Sequence, residues 1–189
     1  MRVIDSNGDS RDAGLFFVSE FQINYLIPAG TALGWARVEV VRDGQIISRA
    51  GLEITAVSPG VYTANGTGSG APAANFALVK AGGARLEGPV FDGNAPLGQR
   101  MPIPVDLGAQ GDELFVTFFT TGTRGATTVT ATVDGVAVPA TKPFVLDQYA
   151  GLEQVNLGPF PRSLVGRGEV DVAFFFNGIP ANVVRIRLQ

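Results

Sequence analysis

Acidic and amide side chains near the amino terminus have the spacing of a cation-binding loop. Asp5, Asn7 and Asp9 alternate in the way that places three oxygen ligands on one side of a calcium loop. Such a loop also needs glycine at its sixth position and glutamate at its twelfth, and these positions hold Ser10 and Phe16. We therefore expect a solvated β-turn and no metal site. Asp5, Asn7 and Asp9 are the only candidate ligands.

The residue types that most hydrolases use are missing or scattered. The chain has no histidine and no cysteine, which excludes the commonest general base, thiolate chemistry, disulfides and the usual zinc sites. Neither Lys80 nor Lys142 has a serine in a recognisable motif. No spacing brings together two of the candidate acid–base carboxylates, which are Asp106, Asp112, Glu113, Asp147 and Glu153. We predict that the protein is not an enzyme, with no catalytic residue and no cofactor.

Aromatic residues beside loops offer a different kind of site. Trp35 stands at the start of a strand-like segment, next to a loop that glycine ends. An exposed ring there would stack on a sugar, although such a residue more often covers a small core. Trp35, Tyr62 and Tyr149 are therefore the candidate ligand-binding residues of a carbohydrate-binding or adhesion module.

Two strand-like segments carry apolar residues on both faces. In LFVTFF (114–119) Phe115 and Phe119 oppose the alternating Leu, Val and Phe, and in VDVAFFF (170–176) Phe175 does the same. A strand in a two-layer sandwich normally keeps one face polar. Leaving these rings in water would cost about 25 cal/mol per Å². Either another part of the chain covers them, or the three phenylalanines form an interface between copies of the chain.

Composition predicts the elements that must position these residues. The 25 glycines and 12 prolines separate short segments rich in Val, Ile, Thr and Phe, a pattern typical of all-β sandwiches and barrels. No segment of a dozen residues has helical periodicity without glycine or proline. A net charge of -3 argues against a nucleic acid or an anionic membrane as partner. No apolar run reaches the length of a membrane span, so we expect no membrane insertion.

The strongest pattern is an internal repeat. The segment QINYLIPAGTALGWARVEVVRDGQIISRAGLEI (22–54) resembles QVNLGPFPRSLVGRGEVDVAFFFNGIPANVVRIRL (154–188). Gln22 and Gln154 are separated by 132 residues, and so are Gly34 and Gly166 at the ends of the two loops. In both copies an alternating strand follows, then a tight Asp-Gly or Asn-Gly turn and a second strand. The pattern indicates one supersecondary unit that is used twice.

Comparing the two copies predicts the domain organisation. We expect a first unit at residues 1–60, a Gly- and Pro-rich connector with short hairpins at 61–111 that lies over the first sandwich, and a second unit at 112–189. The second unit has a strand at 114–120 before its TATVDG segment, whereas the first begins directly at VIDSNG. The first unit therefore lacks its opening strand, which leaves an unpaired edge and a gap over its core. Either the connector fills that gap, or a neighbouring chain or residues outside this chain do so.

Longer motifs carry a family likeness. LFFVSEFQINYLIPAGTALGWARVEV, SPGVYTANGTGSGAPAA, GTRG (122–125) and YAGLEQVN followed by PRSLVGRGEVDV and NGIPANVVRIRL resemble a C-terminal module of large secreted or surface proteins from soil acidobacteria. The likeness extends from Val3 to Leu188. It implies two tandem Ig-like β-sandwich units, export from the cell and a position at the end of a longer polypeptide. It implies no catalytic residue, because the family has no assigned function.

Together these features favour a non-enzymatic extracellular structural or interaction module. It would self-assemble through strand edges and Phe-rich faces, as a homo-oligomer or with other domains of a parent protein. The alternative is a carbohydrate-binding or adhesion module of a cell-surface protein, with a glycan as its ligand.

Overall fold

The computed structural model describes residues 1–189 and is all-β, as the composition predicts. Strands hold 49% of the residues and helical segments only 3%. The chain forms two compact units, Met1–Ala56 and Val57–Gln189. No helix is both long enough and apolar enough to cross a bilayer.

The first unit contains one four-stranded sheet and one two-stranded ribbon. The antiparallel sheet has the order β2-β1-β5-β6, and β3 pairs with β4 in the ribbon. Five buried apolar residues form the core, namely Val3, Ala13, Ala36, Val38 and Ile54. The strands are β1 (Arg2–Ile4), β2 (Ser10–Asp12), β3 (Leu15–Val18), β4 (Ile23–Tyr25), β5 (Gly34–Arg42) and β6 (Gln45–Ile54).

The second unit contains twelve strands and two short 3-10 segments, Leu97–Gln99 and Arg162–Leu164. Its strands are β7 (Gly60–Val61), β8 (Ala74–Val79), β9 (Arg85–Pro89), β10 (Pro104–Val105), β11 (Glu113–Thr121), β12 (Val129–Val133), β13 (Val136–Val138), β14 (Phe144–Val145), β15 (Glu153–Leu157), β16 (Gly168–Phe176), β17 (Ile179–Pro180) and β18 (Val184–Leu188). One sheet has the order β10-β18-β16-β12-β13, with β17 beside β16. The other has the order β14-β15-β11-β8-β9, with β7 beside β11.

The two sheets of the second unit share one apolar core, which is a β-sandwich-like arrangement. Alternate residues of β11 point inward and are buried, and the same holds for β16. Phe118 of β11 meets Phe174 of β16 edge to face, with ring centroids 5.0 Å apart. This geometry is favourable because the positive edge of one ring meets the negative face of the other.

Residues 61–111 are not the connector that the sequence predicts. β8 pairs antiparallel with β11 over six residues, β9 extends the same sheet, and β10 pairs with β18 of the opposite sheet. The boundary between the units falls after Ala56, and this segment belongs wholly to the second unit. The alternating residues of ANFALV explain the difference, because they bury one face of β8 in the shared core.

The two copies of the repeat have the same strand order. β2-β1-β5-β6 in the first unit corresponds to β13-β12-β16-β18 in the second, and the ribbon β3-β4 corresponds to β14-β15. Asp43-Gly44 and Asn177-Gly178 turn the chain with φ of 51° and 77° and of 50° and 80°, the positive values that a two-residue hairpin turn requires. The predicted turns are therefore present at both positions.

The register of the repeat differs from the sequence alignment by two residues. The alignment matches Val38 with Val170, but counting back from the two turns matches Val38 with Val172. The pairing agrees with the second match, since Val38 lies between Val3 and Ala50, and Val172 lies between Val133 and Val184. A shift of two residues keeps every side chain on its own face, so alternation alone cannot detect it.

The first unit has no strand equivalent to β11. In the second unit β15 pairs with β14 on one side and with β11 on the other. In the first unit β4 pairs with β3 alone. The gap that the sequence predicts is thus present, and residues 61–111 do not fill it with a paired strand.

Candidate interaction surfaces

In the Asp5-Asn7-Asp9 loop, the Asp5 carboxylate stabilises the local backbone through hydrogen bonds. Asp5 is 5% exposed, and its carboxylate accepts hydrogen bonds from the backbone nitrogens of Asn7, Asp9 and Ala32 and from the Arg11 guanidinium. These donors, the Ala32 amide first, hold the pKa of Asp5 below its usual value. The carboxylate oxygens point at these donors instead of at a shared cation position, so the loop is a structural turn.

The other acidic side chains also act locally. The Asp112 carboxylate accepts hydrogen bonds from Lys80 Nζ at 2.9 Å and from the Ala81 and Ala109 amides, and the lysine contact is the main reason why its pKa falls to about 2. Glu153 is 3% exposed and accepts hydrogen bonds from the amide and hydroxyl of Thr123. No group of three or more acidic side chains could hold a metal ion.

The three candidate interface phenylalanines have different surroundings. Phe115 and Phe119 are half-buried on the outer face of β11, and Phe119 lines an open cavity of about 300 Å³ together with Tyr62 and Leu152. Phe175 on β16 keeps 38% of its surface exposed. The outward direction predicted for all three is present, and other residues of the same unit cover part of the first two.

The candidate aromatic residues do not form one platform. Trp35 belongs to the first unit, is 72% exposed and lies over Gly51, where a Cβ would be 3.6 Å from its ring. Tyr62 and Tyr149 belong to the second unit, and the Tyr62 hydroxyl is 3.4 Å from the Gly151 carbonyl oxygen. Tyr149 lies in the turn that precedes Gly151. Only the two tyrosines are therefore near the same loop.

A cluster of exposed apolar residues lies on the ribbon β3-β4, which the sequence does not single out. All four residues of β3 are exposed, and Phe21 between the two strands is 91% exposed. A two-stranded ribbon is marginally stable in water unless another element packs on it. The uninterrupted LFFV run at 15–18 is the signal that could have identified this surface, because consecutive apolar residues in a strand occupy both faces.

A groove opens between the ribbon and the four-stranded sheet of the first unit. It has a volume of about 260 Å³, and most of the residues that line it are apolar. The lining residues are Met1, Tyr25, Val38, Val40, Ser48, Arg49, Ala50, Gly51 and Leu52. We call this cavity the open groove.

One face of the four-stranded sheet contains a buried carboxylate that pairs with two exposed arginines. Glu39 is 3% exposed, and its carboxylate lies 3.0 Å from Arg37 Nε and 3.4 Å from Arg49 Nε. Since side chains alternate along β5, Glu39 points away from Val38 and Val40, which line the open groove. The Glu39 carboxylate therefore lies on the face of the sheet opposite the Val38 and Val40 side chains.

Comparison of the chain with protein-family models, with curated proteins and with solved structures gave no match.

Proposed function

We propose that this protein is a non-enzymatic extracellular interaction module that assembles through strand edges and exposed apolar faces. The observation that carries the proposal is the ribbon of the first unit, where Phe21 is 91% exposed and the whole of β3 is in contact with solvent. Large contiguous apolar surfaces on soluble proteins mark sites of association. Association would bury these exposed apolar residues.

Polar features of the chain support an associating role more than a chemical one. The buried or hydrogen-bonded carboxylates of Asp5, Asp112 and Glu153 each bind local backbone or side-chain donors. The export that the family resemblance implies is part of the same proposal, since a module of this kind acts outside the cell.

Light scattering coupled to size-exclusion chromatography tests the self-association part of the proposal. We expect the wild-type chain to form concentration-dependent oligomers, and we expect Phe21→Asp to weaken them because a charge replaces the most exposed ring. Phe175→Asp tests the second face in the same way. Ile47→Asp, at an exposed position on β6, is the control for adding a charge to the same unit. A wild-type chain that stays monomeric at every concentration would refute self-association.

A second candidate function is glycan binding, which the position of Trp35 favours. One face of its ring lies over the Gly51 backbone while 72% of the residue remains exposed, as a stacking platform for a sugar requires. Because the chain has a single tryptophan, its fluorescence reports on this site directly. Binding on a glycan array together with a fluorescence change would support this function, and silence in both measurements would exclude it.

A further inference from the structure

The second unit shows what occupies the position that is open in the first. β11 lies antiparallel to β15, with Val116 opposite Leu157, Thr117 opposite Asn156 and Phe118 opposite Val155. In the repeat, β15 corresponds to β4 at the separation of 132 residues, which places Tyr25 at the position of Leu157 and Ile23 at that of Val155. β4 has no strand on that side. The missing element is therefore a strand that pairs with Ile23–Tyr25.

Residues of the facing sheet are buried beneath β11 in the second unit and more exposed at the equivalent positions of the first unit. This is the difference expected if a covering strand is missing from the first unit. Val184 and Ile186 on β18 are completely buried. Their counterparts on β6, counted from the turns, are Ala50, which is exposed, and Leu52, which is only half-buried. Both counterparts line the open groove. The same sheet positions are thus sealed in one unit and open to solvent in the other.

An aromatic contact indicates how the groove would be filled. In the second unit Phe118 of β11 packs against Phe174 with ring centroids 5.0 Å apart. The position of Phe174, three residues before the turn, is Val40 in the first unit, and Val40 lines the open groove. A large apolar side chain from an added strand would take the place of Phe118 above the smaller valine.

A polar contact fixes the register. Asn156 Oδ1 accepts hydrogen bonds from Gln154 Nε2 at 2.9 Å and from Thr117 Oγ1 on β11 at 2.9 Å. In the first unit Asn24 Oδ1 accepts the equivalent bond from Gln22 Nε2 at 2.7 Å. The second donor is the one that β11 would supply. The amide is thus held in the orientation in which it receives a threonine hydroxyl from a neighbouring strand.

We infer that the first unit is a strand acceptor, which binds an extended segment of a different protein antiparallel to β4. Apolar residues two apart on that segment enter the open groove over Val40 and Leu52, and a threonine between them donates to Asn24. Backbone pairing along the free edge provides affinity and the alternating side chains provide specificity. The inference rests on the proposed interaction role and names the ligand that one of its surfaces takes.

Binding of a synthetic peptide to the full-length chain tests the inference. The peptide has the sequence of residues 112–122, DELFVTFFTTG, with two added lysines for solubility and a fluorophore for anisotropy measurements. We expect saturable one-to-one binding. A peptide with Val116→Asp and Phe118→Asp should bind at least about tenfold more weakly, because two charges would enter an apolar groove. Equal binding of the two peptides would overturn the inference.

Variants of the protein locate the binding position. Ala50→Trp fills the open groove and should weaken peptide binding by about tenfold or more. Ile47→Trp lies on the same strand but outside the groove, and it should leave peptide binding unchanged. Circular dichroism of both variants checks that the fold is retained. If Ala50→Trp folds and still binds normally, the peptide exchanges into another site and the inference is wrong.

A double-mutant cycle tests the register. Asn24→Leu in the protein and Thr117→Val in the peptide should each weaken binding by about three- to tenfold, and the two changes together should cost no more than one of them. If the loss of affinity for the double change equals the product of the two single losses, the two side chains are not in contact. This outcome would refute the proposed alignment of the strand.

The results separate this inference from the proposed function. If the peptide fails to bind while the wild-type chain self-associates and Phe21→Asp weakens that association, the strand acceptor is refuted and the interaction role stands. If the peptide binds while the chain stays monomeric, the acceptor stands and self-association is refuted. If the peptide dissociates an existing oligomer, a second copy of this chain already occupies the edge. The assignment of the strand to a different protein is then wrong.

Discussion

At the scale of single residues, two carboxylates of this protein stabilise loops and turns. Asp5 gathers three backbone amides and the Arg11 guanidinium, and Asp112 joins Lys80 to the Ala81 and Ala109 amides. In each case a charged acceptor satisfies donors that the loop would otherwise leave unpaired. The carboxylates of Asp5 and Asp112 therefore contribute to the stability of the loops in which they lie.

Asp112 gives the folded state a pH dependence at low pH. The folded pKa is about 2 against an ordinary value of 3.8, chiefly because of the Lys80 hydrogen bond. A depressed carboxyl pKa contributes stability above pH 3.8, and that contribution is lost as the pH falls towards 2. Thermal unfolding between pH 7 and pH 2 should show wild type losing stability in this range.

The matched variant is Asp112→Asn, which should melt at a lower temperature than wild type at pH 7 and at the same temperature near pH 2. Lys80→Met should narrow the pH window, because it removes the largest cause of the shift. A difference in melting temperature between wild type and Asp112→Asn that stays constant from pH 7 to pH 2 would contradict the assignment of the pH dependence to Asp112.

At the scale of elements, equivalent hairpins of the two units are fastened differently. The Asn177 amide oxygen lies within hydrogen-bond distance of the backbone nitrogens of both Thr127 and Thr128, which ties the turn after β16 to the start of β12. Asp43 stands at the same turn position in the first unit and contacts only the exposed side chain of Arg42, at 3.8 Å. The second hairpin is thus anchored to its neighbour and the first is not.

Alanine substitution at the two turns should reveal this difference. Asn177→Ala and Asp43→Ala impose the same backbone penalty, since φ is 50° and 51° at the two positions. The first substitution also leaves two amides without their acceptor, so we expect it to cost about 1 to 2 kcal/mol more. Urea unfolding followed by circular dichroism measures both free energies. Equal losses would mean that the amide contacts contribute nothing.

At the scale of the whole molecule, one unit has a closed core and the other is open. The second unit buries apolar residues of both its sheets in one cluster, whereas the first buries five, among them Val3, Val38 and Ile54. Burial of apolar surface is the main favourable contribution to folding, so the units should differ in stability. The open unit is also the one that exposes Phe21 and the free edge of β4.

Hydrogen exchange followed by mass spectrometry should detect this difference. We expect amides of β5 and β6 to exchange faster than those of the equivalent strands β16 and β18, because local opening costs less where the core is small. Adding the strand peptide should slow exchange in β4 and β6 and leave β16 unchanged. Similar protection of the two hairpins in the free protein would contradict this expectation.

Much of the architecture could be predicted from the sequence because it depends on local chemistry. Asp43-Gly44 and Asn177-Gly178 specify their turns, since only such residues readily adopt positive φ at both positions. Alternation along β11 and β16 specifies which side chains face inward. The two-residue shift between Val170 and Val172 could not be predicted, because it preserves that alternation. The Ig-like character of the two units stays a prediction.

By itself, the sequence determined an all-β chain, its tightest turns and the duplicated hairpin. These features follow from residues close together in the chain, where backbone sterics and period-two alternation act directly. Only the tertiary structure decided that residues 61–111 join the second unit, that Asp5 closes a turn and that a groove stays open beside β4. Those features depend on which strand edges meet across long stretches of chain, and edge pairing leaves no local signal in the residues that form it.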